Sequence, residues 1–213
     1  MFIKMKFVAL IILVILSTGC ASNNYHLIEK SPQGDHLNTY KTNYDDADEI
    51  YNAIVVHFAG KEYSDAILWG TAYLNEWGSN ADKDTVADVS ILIVLSHLSQ
   101  LEKPSELETI YFNNGHIQAA INKLQNPYLK RAGGRYCAPK LKHILEKGAY
   151  NEDAMYAFVR TLRESVYFSD EKPQIAPDRE MDEVLQAINN KYPKWFEDMG
   201  IESWKECLIT SQS

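Results

Sequence analysis

From Asp45 onward this chain of 213 residues predicts an all-α fold, a helical bundle or a short array of antiparallel helix hairpins. Apolar residues recur there at three-and-four spacing in segment after segment. Gly, Asn and Pro clusters separate those segments, and two-residue alternation of the kind strands need is weak throughout.

In the first segment, Asp48 to Ala59, the residues Ile50, Ala53, Ile54, His57 and Phe58 can line one face, with Gly60-Lys61 as its stop. The second runs from Glu62 or Tyr63 to Trp77 on Ala66, Ile67, Gly70, Tyr73 and Leu74, and ends at Gly78-Ser79-Asn80. A glycine in an exposed helix interior costs about 1 kcal/mol, so Gly70 predicts a close helix crossing. Asp84 or Thr85 caps a third helix reaching Leu101. Its run Val89 to Leu95 has the composition of a buried strand as well, but the longer helical period around it favours a central helix.

Lys103-Pro104-Ser105 turns the chain into a segment with Leu107, Ile110 and Tyr111 on one face. After Asn113-Asn114-Gly115, His116 to Leu124 presents Ile117, Ala120, Ile121 and Leu124. Asn126 to Pro139 is the most irregular stretch, and loops of this kind often carry recognition surfaces; Tyr128, Arg131, Arg135 and Tyr136 are its candidate partner-binding residues. Lys140 to Lys147 and Glu152 to Phe168 form two further helices, the latter with Met155, Phe158, Val159, Leu162 and Val166 as its apolar side. Pro173 and Pro177 delimit a connector, and Asp178 to Asn189 is helical again. An aromatic tail with Tyr192, Trp195, Phe196 and Trp204 packs back over the bundle. The expected organisation is a single helical domain over 45–213, with a C-terminal annex from about Cys137.

The first 44 residues are of another kind. Lys4 and Lys6 precede an apolar run, Phe7 to Leu16, that is too short to span a bilayer, and Ser17-Thr18-Gly19-Cys20 follows. This segment resembles a bacterial lipoprotein signal, in which a small residue, here Gly19, precedes a cysteine that is acylated on its thiol and opens the mature chain. Ser17 stands where that motif has Leu, Val or Ile, and Leu16 comes one place too early; ordinary cleavage and an uncleaved anchor are the alternatives. The resemblance implies a signal peptide over 1–19 and a lipidated Cys20, with more than one acyl chain for stable anchoring. Ala21, rather than aspartate, at the second mature position implies the outer membrane, with the protein facing the periplasm. Residues 20–44 read as a flexible tether, whose Tyr25, Tyr40 and Tyr44 answer to no helical core.

The first two predicted helices and their short turn, over residues 47–80, resemble one tetratricopeptide-type unit. Gly60 matches its turn glycine, Tyr63 the aromatic that opens its second helix, and Ala66 the small residue three further on. Ile54, Tyr73 and Gly78 stand where the family has a small residue, an alanine and a proline, and a generic helix hairpin is the competing reading. In either case such a hairpin cannot bury its apolar face alone and must stack on a neighbour.

Without Lys4 and Lys6 the balance is 19 basic to 29 acidic side chains, a net charge of -10. That acidity speaks against nucleic acid as a partner. The exception is a local basic stretch of Lys130, Arg131, Arg135, Lys140, Lys142 and His143, most simply a solvated surface between helices. Cys137 and Cys207, an even pair in an exported chain, are disulfide candidates; two separate buried thiols are the alternative.

No phosphate-binding glycine loop, His-Glu-x-x-His motif, serine elbow or calcium loop is present. The six histidines lie far apart in sequence and would converge only through the tertiary fold. No catalytic residue, metal or cofactor is therefore expected. The remaining expectation is a non-enzymatic envelope protein that binds another envelope protein as a scaffold or assembly accessory. A periplasmic immunity protein neutralising a toxin is the alternative, and a cell-wall or lipid hydrolase ranks third.

Overall fold

A computed structural model of the chain describes residues 46–101, 114–131, 136–169, 172–175 and 179–210. The signal segment, Cys20, the tether, Leu107 to Tyr111 and Arg135 lie outside these. Among the described residues are ten α-helices, a single 3-10 turn and one two-stranded antiparallel sheet, so the all-α expectation holds. No helix among them is long and apolar enough to cross a membrane.

The described residues open with α1 (Ala47–Ala59), which buries Ile50, Ala53, Ile54, His57 and Phe58. Its stop is not where glycine would place it. Lys61, rather than Gly60, takes the left-handed backbone at φ +64°. The Glu62 amide donates to the His57 carbonyl at 2.8 Å and the Lys61 amide to the Phe58 carbonyl at 3.0 Å, a Schellman closure with lysine where glycine is preferred. Then α2 (Tyr63–Glu76) returns antiparallel, burying Ala66, Trp69, Gly70 and Tyr73.

The centre of the fold is α3 (Lys83–Ser99). Asp82, one residue before the helix and not Asp84 or Thr85, caps it, its carboxylate accepting from the Asp84 and Thr85 amides at 3.1 and 3.2 Å. Every residue from Val86 to Ser96 is buried, because helices cover α3 on all sides. Besides α1 and α2 these are α4 (Asn114–Leu124), α5 (Pro127–Arg131) and α7 (Glu152–Glu164). The run Val89 to Leu95 is thus a central helix and not a strand. Gly70 of α2 marks a close crossing, facing Ile93 and Val89 of α3.

The stretch expected to be irregular contains α5, set on α3 by a polar anchor. The Asn126 amide donates to Ser90 Oγ at 2.7 Å and its carbonyl accepts from the Tyr128 amide at 2.9 Å, while the Ser90 hydroxyl donates to the Val86 carbonyl. Next comes α6 (Ala138–Lys147), which starts earlier than the periodicity predicts, with Pro139 in its first turn. A 3-10 turn at Gly148–Tyr150 follows.

The helix expected over Glu152 to Phe168 is shorter than predicted. α7 ends at Glu164, and β1 (Val166–Ser169) pairs with β2 (Lys172–Ile175) in a hairpin. A β-branched residue and two aromatics in succession favour the strand, and Ser165, whose hydroxyl donates to the Leu162 carbonyl at 2.8 Å, closes the helix before them. Strand β2 falls on the segment expected to be a connector.

The described residues end with α8 (Arg179–Lys191), α9 (Pro193–Asp198) and α10 (Ile201–Thr210). The aromatic tail does pack inward. Trp195 and Trp204 are fully buried against Phe158 of α7, and the Trp195 indole donates to the Gly148 carbonyl at 2.7 Å. A disulfide joins Cys137, in the left-handed conformation at the start of α6, to Cys207 of α10. Lys205 of α10 also reaches Asp182 of α8 at 2.8 Å.

Candidate functional site

A buried hydroxyl links the hairpin to the centre of the helical core. Tyr136 is fully buried, and its hydroxyl contacts a carboxylate oxygen of Asp88, in the middle of α3, and the Pro173 carbonyl of β2 at 2.8 Å. Asp88 is itself fully buried. The candidate surface residue Tyr136 is therefore a core residue that ties the helix centre to the sheet. Tyr128 is half-buried on α5, Arg131 is the last residue of α5, and Tyr136, being in the core, shares no exposed surface with Tyr128.

The register fixes which backbone groups the hairpin leaves open. Phe168 lies opposite Pro173, which has no N–H to donate, so this pair cannot exchange hydrogen bonds. By alternation Tyr167–Gln174 and Ser169–Lys172 are the bonded pairs, and the amides and carbonyls of Val166 and Phe168 point to the outer edge of β1. The outward Pro173 carbonyl, taken by Tyr136, agrees with this phase. Burial alternates as well: Pro173 and Ile175 are buried, whereas Tyr167 and Gln174 meet on the exposed face, the phenol donating at 3.0 Å.

Beside β1 lies a pocket of about 430 Å³. Phe58, Tyr63, Val166 and Phe168 wall it, with Phe58 edge-on to both Tyr63 and Phe168 at ring separations of 5.7 and 6.3 Å. Lys61 and Arg163 stand among its lining. Glu164 also lines it, but is held by Arg160 at 3.0 Å and by Arg163 at 3.4 Å.

On the other side of Glu164 a larger groove of about 600 Å³ runs between α7 and α8. Ala157, Val184, Ala187 and Ile188 supply its apolar part, and Tyr156 and Tyr192 its aromatic part. Asp153, Glu180, Arg160 and Lys191 bring charge of both signs to the same groove. Val184, 38% exposed, presents an apolar side chain to solvent there.

Two histidines far apart in sequence do meet. His97 Nδ1 and His116 Nδ1 are 3.0 Å apart, so one ring donates and the other accepts. Burial first, and then the neighbouring His116 and Lys123, hold His97 down at about 4, so it is neutral at pH 7. Burial also lowers the Lys123 ammonium. At the first hairpin turn, His57 Nδ1 donates to Glu62 at 2.6 Å, and Asp65 brings a third ligand-type atom within 4.8 Å of both. His57 belongs to α1, while Glu62 holds the N-cap position and Asp65 lies in the first turn of α2, where the helix dipole opposes a bound cation. As it stands, the trio staples the turn.

Among the described residues, the fold is a mostly helical domain with one β-hairpin, a disulfide from Cys137 to Cys207, an aromatic pocket, a strand edge with no third strand and an interhelical groove. No known protein family, curated protein or solved structure matches the chain.

Proposed function

We propose that the chain is an exported protein, anchored through a lipidated Cys20 to the outer membrane on its periplasmic side, that binds another envelope protein as a scaffold or assembly accessory. The observation that carries this reading is the α7–α8 groove. Its lining includes two alanines on facing helices, Ala157 and Ala187, which allow a partner backbone to come close. Its charged residues are of both signs, as suits an amphipathic helix with an apolar stripe between charged flanks. The aromatic side chains Tyr156 and Tyr192 supply anchoring area at little entropic cost.

The test places a photoreactive side chain at Val184 in the full chain, expressed in its own cells, beside a Cys20→Ala variant. One envelope protein captured at near-equal stoichiometry, and lost when Cys20 is replaced, is the expected result. Capture of a toxin would turn the reading to an immunity protein. Capture of nothing above the unirradiated control would overturn it.

A further inference from the structure

We propose that the outer edge of β1 accepts an extended peptide segment as a third strand, with one large apolar side chain of that segment in the adjoining pocket and a neighbouring carboxylate held by Lys61 and Arg163. This rests on the reading that the chain binds proteins, but uses a different surface from the α7–α8 groove.

Three independent observations converge here. The first is the edge itself. Val166 and Phe168 turn two amides and two carbonyls outward, and among the described residues the sheet has no third strand to meet them. Exposed edges are normally blunted with lysine, proline or a cover, because they recruit other strands. Here that protection is one-sided. Strand β2 carries Lys172 and Pro173, and its outward Pro173 carbonyl is capped by Tyr136, whereas β1 reads Val-Tyr-Phe-Ser with neither lysine nor proline.

The second is the pocket. Val166 and Phe168, whose backbone groups face the open edge, also supply two of its walls, so a strand laid along that edge runs past its mouth. Alternate side chains of an added strand project to the same face, and one of them enters a space of about 430 Å³ walled by aromatic rings.

The third is charge and strain. The chain carries a net charge of -8, yet the cationic side chains lining the pocket, Lys61 and Arg163, outnumber its single carboxylate, Glu164. Glu62, next to Lys61, does not line the pocket and is engaged by His57. Lys61 occupies a left-handed position, a conformation that costs a lysine about 1 kcal/mol relative to glycine. A cationic side chain kept at that position is accounted for if it works at the pocket. An acidic residue next to the apolar anchor meets both cations.

The test selects binders from a displayed library of random peptides on the full-length protein in detergent. The selected peptide is then synthesised and titrated calorimetrically. The expected consensus is a large apolar residue adjacent to Asp or Glu. Lys61→Glu at an exposed position combined with Arg163→Gln at a half-buried one, checked for unchanged thermal unfolding, should weaken the peptide at least tenfold. N-methylation of alternate peptide amides should weaken it at least tenfold in one register and hardly at all in the other, since only one register faces β1. Failure to select any consensus would overturn the proposal. So would binding that is indifferent to methylation in both registers, which would mark the pocket as a site for a side chain or an amphiphilic anion alone. Neither failure touches crosslinking through Val184, so the groove reading stands or falls by itself.

Discussion

Gly70 and Ile93 are in contact at the crossing of α2 and α3, so close that a Cβ on Gly70 would lie 2.7 Å from Ile93 Cγ1. Alanine at position 70 would raise helix propensity by about 1 kcal/mol. It would also force apart two helices at a point where Ile93 is fully buried and cannot swing aside. Overpacking of that kind costs about 1–3 kcal/mol, so the steric effect wins. Gly70→Ala is expected to lower the urea midpoint with an unchanged slope, and a raised midpoint would show that the crossing relaxes freely.

Tyr136 joins Asp88 and Pro173 through a single hydroxyl, and Tyr136→Phe removes that oxygen without changing the ring. The single hydroxyl hydrogen that these two buried acceptors compete for is then gone, a loss of about 1–3 kcal/mol. The effect should be local as well as global. Hydrogen exchange at the Tyr167 and Gln174 amides, which belong to the bonded pairs of the hairpin, should accelerate more than exchange in the middle of α3. Equal acceleration at both would mean that Tyr136 does not position the sheet.

These contacts mark where the sequence was legible and where it was not. The unbroken apolar run Val89 to Leu95 predicts a central helix, because a helix apolar on all faces must be covered on all faces. Gly70 signals the crossing by its helix cost, and the pair Cys137 and Cys207 signals a bridge. The hairpin is hidden because Val166 continues the spacing of Leu162, so periodicity extends α7 through the strand. The left-handed residue is hidden because the adjacent glycine, Gly60, is the natural choice for it. Asp88 with Tyr136, and the pocket built from residues 58–63 and 163–168, bring together positions far apart in sequence, and no local pattern encodes such meetings. For the same reason Tyr136, an aromatic in a glycine-rich stretch, reads as a recognition residue from sequence and is a core residue in the fold.

The disulfide from Cys137 to Cys207 closes a loop of 70 residues and holds the start of α6 against α10. By the chain-entropy argument, a loop of this length restricts the unfolded chain by about 4 kcal/mol. Cys137→Ala with Cys207→Ala should therefore lower stability by an amount of that order. Trp195 and Trp204, both buried with Phe158, report on the loss through their fluorescence. A wild-type protein whose unfolding is insensitive to reductant would contradict the prediction.

The His97–His116 pair predicts how stability responds to acid. His97 is held at about 4 in the folded chain, by burial first and by the charges of His116 and Lys123 second, against an ordinary value of 6.5. Between those values the unfolded chain takes up a proton at this position that the folded chain refuses. Stability therefore falls as pH drops from about 6.5 toward about 4, while above that window His97 contributes no pH dependence. His97 is only half-buried, so solvent moderates the size of the effect. Replacing it with an amide isolates it from the carboxylates that titrate over the same range. His97→Asn should lose less stability than wild type when urea midpoints are compared at pH 7 and pH 4.5. Parallel curves for the two proteins would mean that the folded chain accepts the second proton on the pair without opening the contact between α3 and α4.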